Sequence, residues 1–480
     1  MIPILKQISL GIPFLLLHAV TVGAVGFTNL YSFSATSGNP SYTNSDGSEP
    51  NASLVLSGST LYGTTHLGGT SNFGAVFKVN IDGTGFTNLY NFSGSDGKGP
   101  NAALVLSGNS LYGTAVSGGS ANYGTVFRMT TNGSAFTNLY NFSYSIGYSP
   151  YGTLILSGNT LYGTTYAGGS GFDGTIFKIN TDGSGFTNFV NFNASTGAYL
   201  YGGLVSSGNT LYGTTAGGLG TGNGTVFRVD TDGSVFTNLH SFTATSGFPA
   251  TNSDGRTPNA ALVLSGNGNT LYGTTRNGGT GGNGNGTVFS VNTDGAGFTA
   301  LHSFSATSGS LTTNNDGAVP YAGLVLSGNT LYGATALGGS QGSGTIFKIN
   351  VDGTGFTTLY TFTVAVYNNT LGVSTNSDGA YPYASLLLSG NTLYGTTQQG
   401  TRGGSGTVFE FTLPSAPVPI PLNIRSIGNA VVLSWTDPAT AFSLYTSPAV
   451  TGPWSTVSGA TSPYTNPFTG SQEFFRLQSK

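Results

Sequence analysis

The chain has no cysteine among its 480 residues, and charged residues make up only 6% of it. Without cysteine there is no disulfide framework, so stability in an oxidising compartment has to come from packing. Thirteen basic and 16 acidic residues leave a net charge of −3. That balance provides no basic stripe for phosphates and no lysine cluster for anionic lipid, which argues against nucleic acid and membrane surfaces as partners. Beyond about residue 22 there is no run of eighteen apolar residues, so no transmembrane anchor is expected in the mature chain. What the chain has instead is glycine, 78 residues or about twice the usual share, with 12% aromatics. Gly-rich chains of low charge are often disordered. Strict periodicity and abundant aromatics point instead to a β-protein of short strands whose turns consume glycine.

The N-terminus reads MIPILKQISLGIPFLLLHAVTVGAVG, with one cation at Lys6, an apolar run from Ile8 to Val22 and small residues at Gly23 and Ala24. This is the layout of a signal peptide spanning 1–24, and it leads to the expectation of a secreted or cell-surface protein. A first strand or a membrane anchor is the competing reading, and the run is short for a span.

From residue 26 to 411 one unit recurs. Its L-Y-G tyrosines are Tyr62, Tyr112, Tyr162, Tyr212, Tyr272, Tyr332 and Tyr394, giving gaps of 50, 50, 50, 60, 60 and 62. Periods near 50 belong to propeller blades. Each unit carries four short apolar runs, as in ALVLSG (103–108), NSLYGTA (109–115), GTVFRMT (124–130) and AFTNLYNF (135–142). Runs one and two meet at Ser-Gly-Asn, and runs three and four at turns such as NTDGSG (180–185), where Asp-Gly supplies the positive φ of a tight hairpin. The connections after runs two and four, for example SATSGNPSYTNSDGSEP (34–50), are longer and vary. In an up-and-down blade the two short turns share one end and the two long connections the other, so one face should be constant and one variable.

The repeat region opens on a fourth-type run, GFTNLYSF (26–33), and closes on a third-type run, GTVFEF (406–411). If the first adds to the last three, the seventh blade is completed and the ring is sealed, which also removes two open sheet edges. A linear solenoid would want a capping unit at each end instead. The fold expected is therefore all-β: a seven-bladed β-propeller of four-stranded antiparallel blades over 25–412. A Pro-rich linker (413–422) and a small β-sandwich (423–480) follow.

The unit ALVLSGNTLYGTTxxGGxxxxGTVFKVNTDGxGFTNLYxF resembles the GloVer tandem repeat of secreted bacterial proteins with differing C-terminal modules, and also a kelch blade. The resemblance covers 26–411 and implies a secreted or surface propeller without an assigned chemistry. One departure from kelch is visible: Phe27, Phe86, Phe136 and their equivalents stand where that blade's fourth strand usually has tryptophan. Both tryptophans, Trp435 and Trp454, lie beyond the linker, in a segment resembling the central strands of a fibronectin type III sandwich. At about 60 residues it is short for seven strands, so a reduced sandwich ending on EFFRL (473–477) is expected, serving attachment or spacing.

Catalysis needs titratable groups converging in a pocket, and they are scarce here. His240 and His302 occupy the strand position held by Tyr31, Tyr90, Tyr140 and Tyr360 in other copies. His66 stands in a variable loop, three residues past the Gly of L-Y-G, and its equivalents are Val116, Tyr166, Ala216, Arg276, Ala336 and Gln398. These define one ring of ligand-binding candidates, of which His66, Tyr166, Arg276 and Gln398 carry functional side chains. Asp82, Asp182, Asp232, Asp294 and Asp352 sit in the short Asp-Gly turns and read as structural. Asp46, Asp96, Asp254, Asp316 and Asp378 recur as D-G-x-x-P on the variable face. Asp46, Asp254, Asp316 and Asp378, in their Asn/Asp-rich context, are calcium candidates, but no bidentate glutamate follows and Asx-turns account for them better. No other cofactor is expected.

The variable face offers aromatics among Asn and Ser: Tyr42, Phe73, Tyr123, Tyr148, Phe172, Tyr199, Phe248, Tyr321 and Tyr381. Rings give apolar contact at low entropic cost and amides fix orientation, a combination suited to a neutral polysaccharide or a cell-surface protein. The reading is of a monomeric, non-enzymatic binding propeller. Its rivals are a carbohydrate-active hydrolase or lyase using carboxylates near the ring axis, and a structural surface protein.

Overall fold

A computed structural model of the chain describes residues 4–8, 12–16, 19–21, 26–37, 43–218, 220–247, 250–309, 312–369, 373–401, 403–414, 418–420, 423–427, 430–435, 442–447, 453–467 and 474–479. The candidates Tyr42 and Phe248 lie outside them. Two units emerge: Phe27–Glu410, and Met1–Gly26 together with Phe411–Lys480. Among the described residues there is no helix, and hence none long and apolar enough to cross a membrane.

The large unit is built of seven four-stranded antiparallel sheets, six of which pair their strands in chain order. Blade 3 is typical, with strands Ile155–Ser157, Thr160–Thr165, Thr175–Asn180 and Thr187–Asn191. Leu161 faces Ile179 and Gly163 faces Phe177, and a bulge between Ile176 and Phe177 bends the third strand in the same place in other blades. Second and third strands are buried on both faces because a neighbouring blade covers each side, hence runs such as TLYGTT and TIFKIN rather than strict polar alternation.

One glycine per blade is fixed by close approach. A Cβ at Gly163 would lie 2.4 Å from the Phe177 ring and 2.7 Å from Leu154, and the other L-Y-G glycines are equally crowded. The space freed there holds the buried third-strand phenylalanine.

Blade interfaces are aromatic. Tyr90 stacks on Phe136 of the next blade at 3.9 Å, Tyr140 on Phe186 at 3.5 Å and Tyr31 on Phe86 at 3.6 Å. His240 and His302 take the same position over Phe298 and Phe356, at 3.6 and 3.8 Å. Beneath each stack a phenylalanine such as Phe92 meets Phe127 edge-on. Threonines of the second strands tie blade to blade: Thr114, Thr164, Thr214 and Thr274 donate to the carbonyls of Pro150, Gly202, Ala260 and Ala322.

The ring closes as the sequence reading requires. Gly26–Ser32 is the fourth strand of the sheet formed by Leu387–Ser389, Thr392–Thr397 and Thr407–Thr412. The Phe33 amide donates to the Gly406 carbonyl at 3.1 Å, the bond that Phe92 and Gly74 make within blade 1. Thr396 donates to the Ala52 carbonyl across the junction.

Four features differ from expectation or add to it. A hairpin, Val366–Asn368 with Val373–Thr375, rises from the connection before blade 7. Near the N-terminus, Ile4–Ile8 runs antiparallel to Ile12–Leu16. Within the linker, Val418–Ile420 pairs with Ala19–Thr21. The C-terminal segment forms two three-stranded sheets, Asn423–Ile427, Ala430–Ser434 and Tyr464–Pro467 in one, Ser455–Thr456, Phe442–Ser447 and Phe474–Ser479 in the other. Leu433, Leu444 and Trp435 are buried there.

Candidate ligand-binding face

The two long connections of every blade meet at one end. Isolated bridges join them: Ser48 to Leu67, Lys98 to Ser117, Tyr148 to Ala167, Ala198 to Gly217, Arg256 to Asn277, Ala318 to Leu337 and Ala380 to Gln399. At the other end the two short turns are joined, as by Thr181 N–H to Asn159 O and Thr231 N–H to Asn209 O. There Asp82 and Asp182 accept from the Thr84 and Ser184 hydroxyls and amides, which hold their carboxyls below the ordinary range. The variable face is thus a single surface.

The second aspartate series anchors that surface. Asp46 accepts from Tyr31 at 2.8 Å and from the Ser34 amide at 2.9 Å, with the Ser34 hydroxyl closer still. Asp96 and Asp378 accept from Tyr90 and Tyr360, both at 2.6 Å, and Asp254 and Asp316 from His240 and His302, both at 3.0 Å. Burial pushes the Asp254 carboxyl up, but the bonds from His240 and Thr243 outweigh it and leave it below the ordinary range. Each calcium candidate therefore already spends its oxygens on protein donors, and any cation would compete with them. Among the described residues no cluster of three His, Asp or Glu side chains converges.

The aromatic candidates gather in one sector, around blade 3. Phe172 lies 6.0 Å from Tyr144, which stacks on Tyr148 at 5.5 Å, and Tyr123 is 5.7 Å from Tyr148. The Tyr148 phenol is raised by burial and by the hydroxyls of Tyr144, Tyr166, Tyr123 and Tyr199. Tyr166 stacks on Tyr199 at 5.1 Å and meets Tyr201 at 4.8 Å, and Tyr151 completes the group 5.4 Å from Tyr201. Burial and a hydrogen bond with Tyr201 push the Tyr166 phenol up to about 12. The result is two neighbouring groups of four rings, Tyr123, Tyr144, Tyr148 and Phe172 in one and Tyr151, Tyr166, Tyr199 and Tyr201 in the other, with Phe172 58%, Tyr144 51% and Tyr199 42% exposed. Two of them hold a left-handed backbone, Phe172 at φ 65° and Tyr199 at φ 65°. At the place of Phe172 the first two copies have Asn72 and Asn122, residues that tolerate that conformation better.

Tyr151 and Tyr201 of the second group also line an axial cavity of about 410 Å³. One side chain per blade surrounds it at the position just before the first strand: Asn51, Asn101, Tyr151, Tyr201, Asn259, Tyr321 and Tyr383. Deeper in, Ala, Gly, Ser and Thr line the wall, and no acidic or basic side chain is among the lining residues.

The remaining candidates distribute around the mouth. Gln398 lines the cavity and its amide approaches Glu49 at 3.5 Å. The Arg276 guanidinium lies 4.6 Å over the Tyr321 ring, which meets Tyr383 edge-on at 4.9 Å. Tyr381 holds φ 60° beside this pair. His66 is half-buried against Gly99, and Phe73 packs into the interface of blades 1 and 2 under the Lys98 ammonium at 4.6 Å, so both side chains pack largely against the scaffold. Sequence reasoning missed Tyr144, Tyr151, Tyr201, Tyr383 and the asparagines of the cavity. A signal was present: the residue before each A/G-x-L is Asn or Tyr in every copy.

The sequence profile of the Gloeobacter/Verrucomicrobia repeat matches residues 20–145, 106–253, 201–371 and 310–420. A comparison with curated proteins finds no match. Similar solved structures include an oligogalacturonate lyase from Vibrio parahaemolyticus, 10% identical, with a TM-score of 0.48 over 83% of this chain and 99% of that one. A putative 6-phosphogluconolactonase from Bacteroides uniformis is 14% identical, with a TM-score of 0.43 over 80% and 96%. A nidogen/laminin complex is 12% identical, with a TM-score of 0.35 over 74% and 96%. Likeness this distant carries no activity or ligand over.

Proposed function

Because the chain belongs to the Gloeobacter/Verrucomicrobia repeat family, whose profile runs from residue 20 to 420, and because its long, variable connections gather on one face, we propose that this face is a binding surface for a neutral glycan. The observation that carries the reading is the pair of four-ring groups around blade 3. Stacked and tilted phenols with exposed edges match the alternating apolar faces and hydroxyl rims of a sugar chain. The cavity beside them adds amides and hydroxyls without a charged side chain. A hydrolase would place two carboxyls about 5 to 10 Å apart across such a pocket. Here the near carboxyl is Glu49, half-buried and raised by desolvation, with the Gln398 amide as its neighbour.

In this reading the leader up to residue 24 directs export, the propeller is displayed outside the cell, and the C-terminal sheets pack as a small sandwich that tethers or spaces it. A glycan array probed with the whole chain tests the function. Binding to neutral glycans, reduced by Tyr148→Ala and kept by Tyr332→Phe, is the expected result. Absence of any sugar binding, or release of reducing ends from a bound polysaccharide, overturns it.

A further inference from the structure

We propose that a pocket where blade 7 meets blade 1 is a second subsite on this face and takes the protonated amine of an amino sugar. The inference rests on the glycan reading for the sugar but not for the charge. The pocket has a volume of about 290 Å³. Drug-sized sites begin at about 300 Å³, so it suits one sugar unit rather than a chain. Three observations select its occupant.

The first is a carboxylate without a counter-ion. Glu49 is the one charged residue among those lining the pocket. Among the described residues the ion pairs are those of His240 with Asp254 and His302 with Asp316, and neither involves Glu49. Its side chain meets the Gln398 amide only at 3.5 Å, the outer limit of a hydrogen bond. Burial pushes its carboxyl up, with no cation to offset the lost water. The turn does not call for this charge: the equivalent residues Gly99, Ser149, Tyr199, Thr257, Val319 and Tyr381 hold the same left-handed backbone without one.

The second is an aromatic ring beside it. The hairpin of Val366–Asn368 with Val373–Thr375 brings Tyr367, 61% exposed, to the wall of the same pocket. An ammonium is attracted to an aromatic face while its hydrogens bond to a carboxylate and to neutral oxygens. Thr36, Ser374 and Gln399 bring such oxygens to the lining. The third is the kind of cation this set fits. Calcium takes six to eight oxygens, usually from more than one carboxylate, and among the described residues no three His, Asp or Glu side chains converge. One carboxylate, one ring and a few neutral oxygens are the complement of a single amine. Gln398 lines the axial cavity and Gln399 this pocket, so an amino sugar seated here adjoins the cavity mouth.

The experiment is calorimetric titration of the whole chain in weakly acid buffer, where sugar amines carry their protons. The titrants are the β-1,4 hexamer of glucosamine, its N-acetylated counterpart and Nα-acetyl-lysine amide. The glucosamine hexamer is expected to bind about ten-fold more tightly than the acetylated one, the worth of one charge-assisted hydrogen bond. Glu49→Gln should abolish that difference without lowering the denaturation midpoint, because it removes an uncompensated charge. Tyr367→Ala should weaken the glucosamine hexamer about three-fold. Failure of the glucosamine hexamer to bind, equal affinity for the two hexamers, or a difference that survives Glu49→Gln overturns the inference and leaves the neutral-glycan reading to its array. Glu49-dependent binding of the lysine amide without binding of the glucosamine hexamer also overturns it, in favour of a peptide amine. Glu49-dependent binding of the glucosamine hexamer by a chain that holds no neutral array glycan upholds this subsite and refutes the neutral-glycan reading alone.

Discussion

Phe172 is an aromatic residue in a left-handed conformation, more than half exposed, where two sister copies carry asparagine. A β-carbon there costs of order 1–2 kcal/mol, which asparagine offsets through local hydrogen bonding. Asn72 does so by accepting from the Gly68 amide at 2.9 Å. Phe172→Asn is therefore expected to raise stability by about 1 kcal/mol, read as a higher denaturation midpoint, while weakening glycan binding. A gain in stability with unchanged binding would remove Phe172 from the surface.

His66 behaves oppositely. Burial holds its imidazole below the ordinary value, against the smaller pull of the Gly99 backbone. On acidification the unfolded chain takes up that proton first, so stability is full above about pH 6.5 and falls as pH drops below it. His66→Gln should flatten the fall between about pH 7 and pH 5, measured as the denaturation midpoint across that range. Both residues were visible in the sequence as departures from the repeat. Which departure faces solvent and which is buried depends on the neighbouring blade, and one-dimensional phase does not carry that.

At the scale of the blade, the repeat phase carried nearly everything, because four strands, two turn chemistries and a fifty-residue period admit few arrangements. What it left unread is the latch from the fourth strand to the following connection. Tyr31–Asp46, Tyr90–Asp96, His240–Asp254, His302–Asp316 and Tyr360–Asp378 are the same bond. The copy with Val190 in the strand has Thr196 where the aspartate would stand. Read together, the two columns explain the histidines as tyrosine substitutes; read separately, the aspartates suggested calcium.

The threonine clasps give a sharper test. Blade 6 carries Ala334 where the other copies have threonine, so it lacks the hydroxyl that reaches the next blade's backbone. Ala334→Thr should add that bond to the blade 7 first-strand segment and stabilise the ring by about 1 kcal/mol, measured by chemical denaturation. A destabilised variant would show that the alanine is needed for packing.

For the whole molecule, the fourth strand of blade 7 is the most distant partner in the chain, and sheet closure rests on residues at both ends of the repeat region. The strand supplies Leu30 and Phe33 to the core of the junction, with Phe27 stacked at 4.4 Å on Tyr360 and Phe86 meeting Tyr31 on the other side. Removing 26–33 would strip those rings and expose the edge of Thr407–Thr412. Each lost aromatic pair is worth about 0.5–1.5 kcal/mol beyond its buried area. The strand is thus expected to hold the ring in one cooperative transition, whereas its deletion leaves blade 7 with three strands and splits unfolding into a fraying blade and a surviving arc. Hydrogen exchange separates these outcomes. In the full chain, amides of Thr392–Thr397 and Thr407–Thr412 should be as protected as those of Thr160–Thr165 and Thr175–Asn180, and in the deletion the blade 7 strands should lose protection, Thr407–Thr412 most, while the blade 3 strands keep it. A peptide of residues 26–33 added in trans should restore it, since the seam consists of backbone bonds and rings that need no covalent continuity with the next blade.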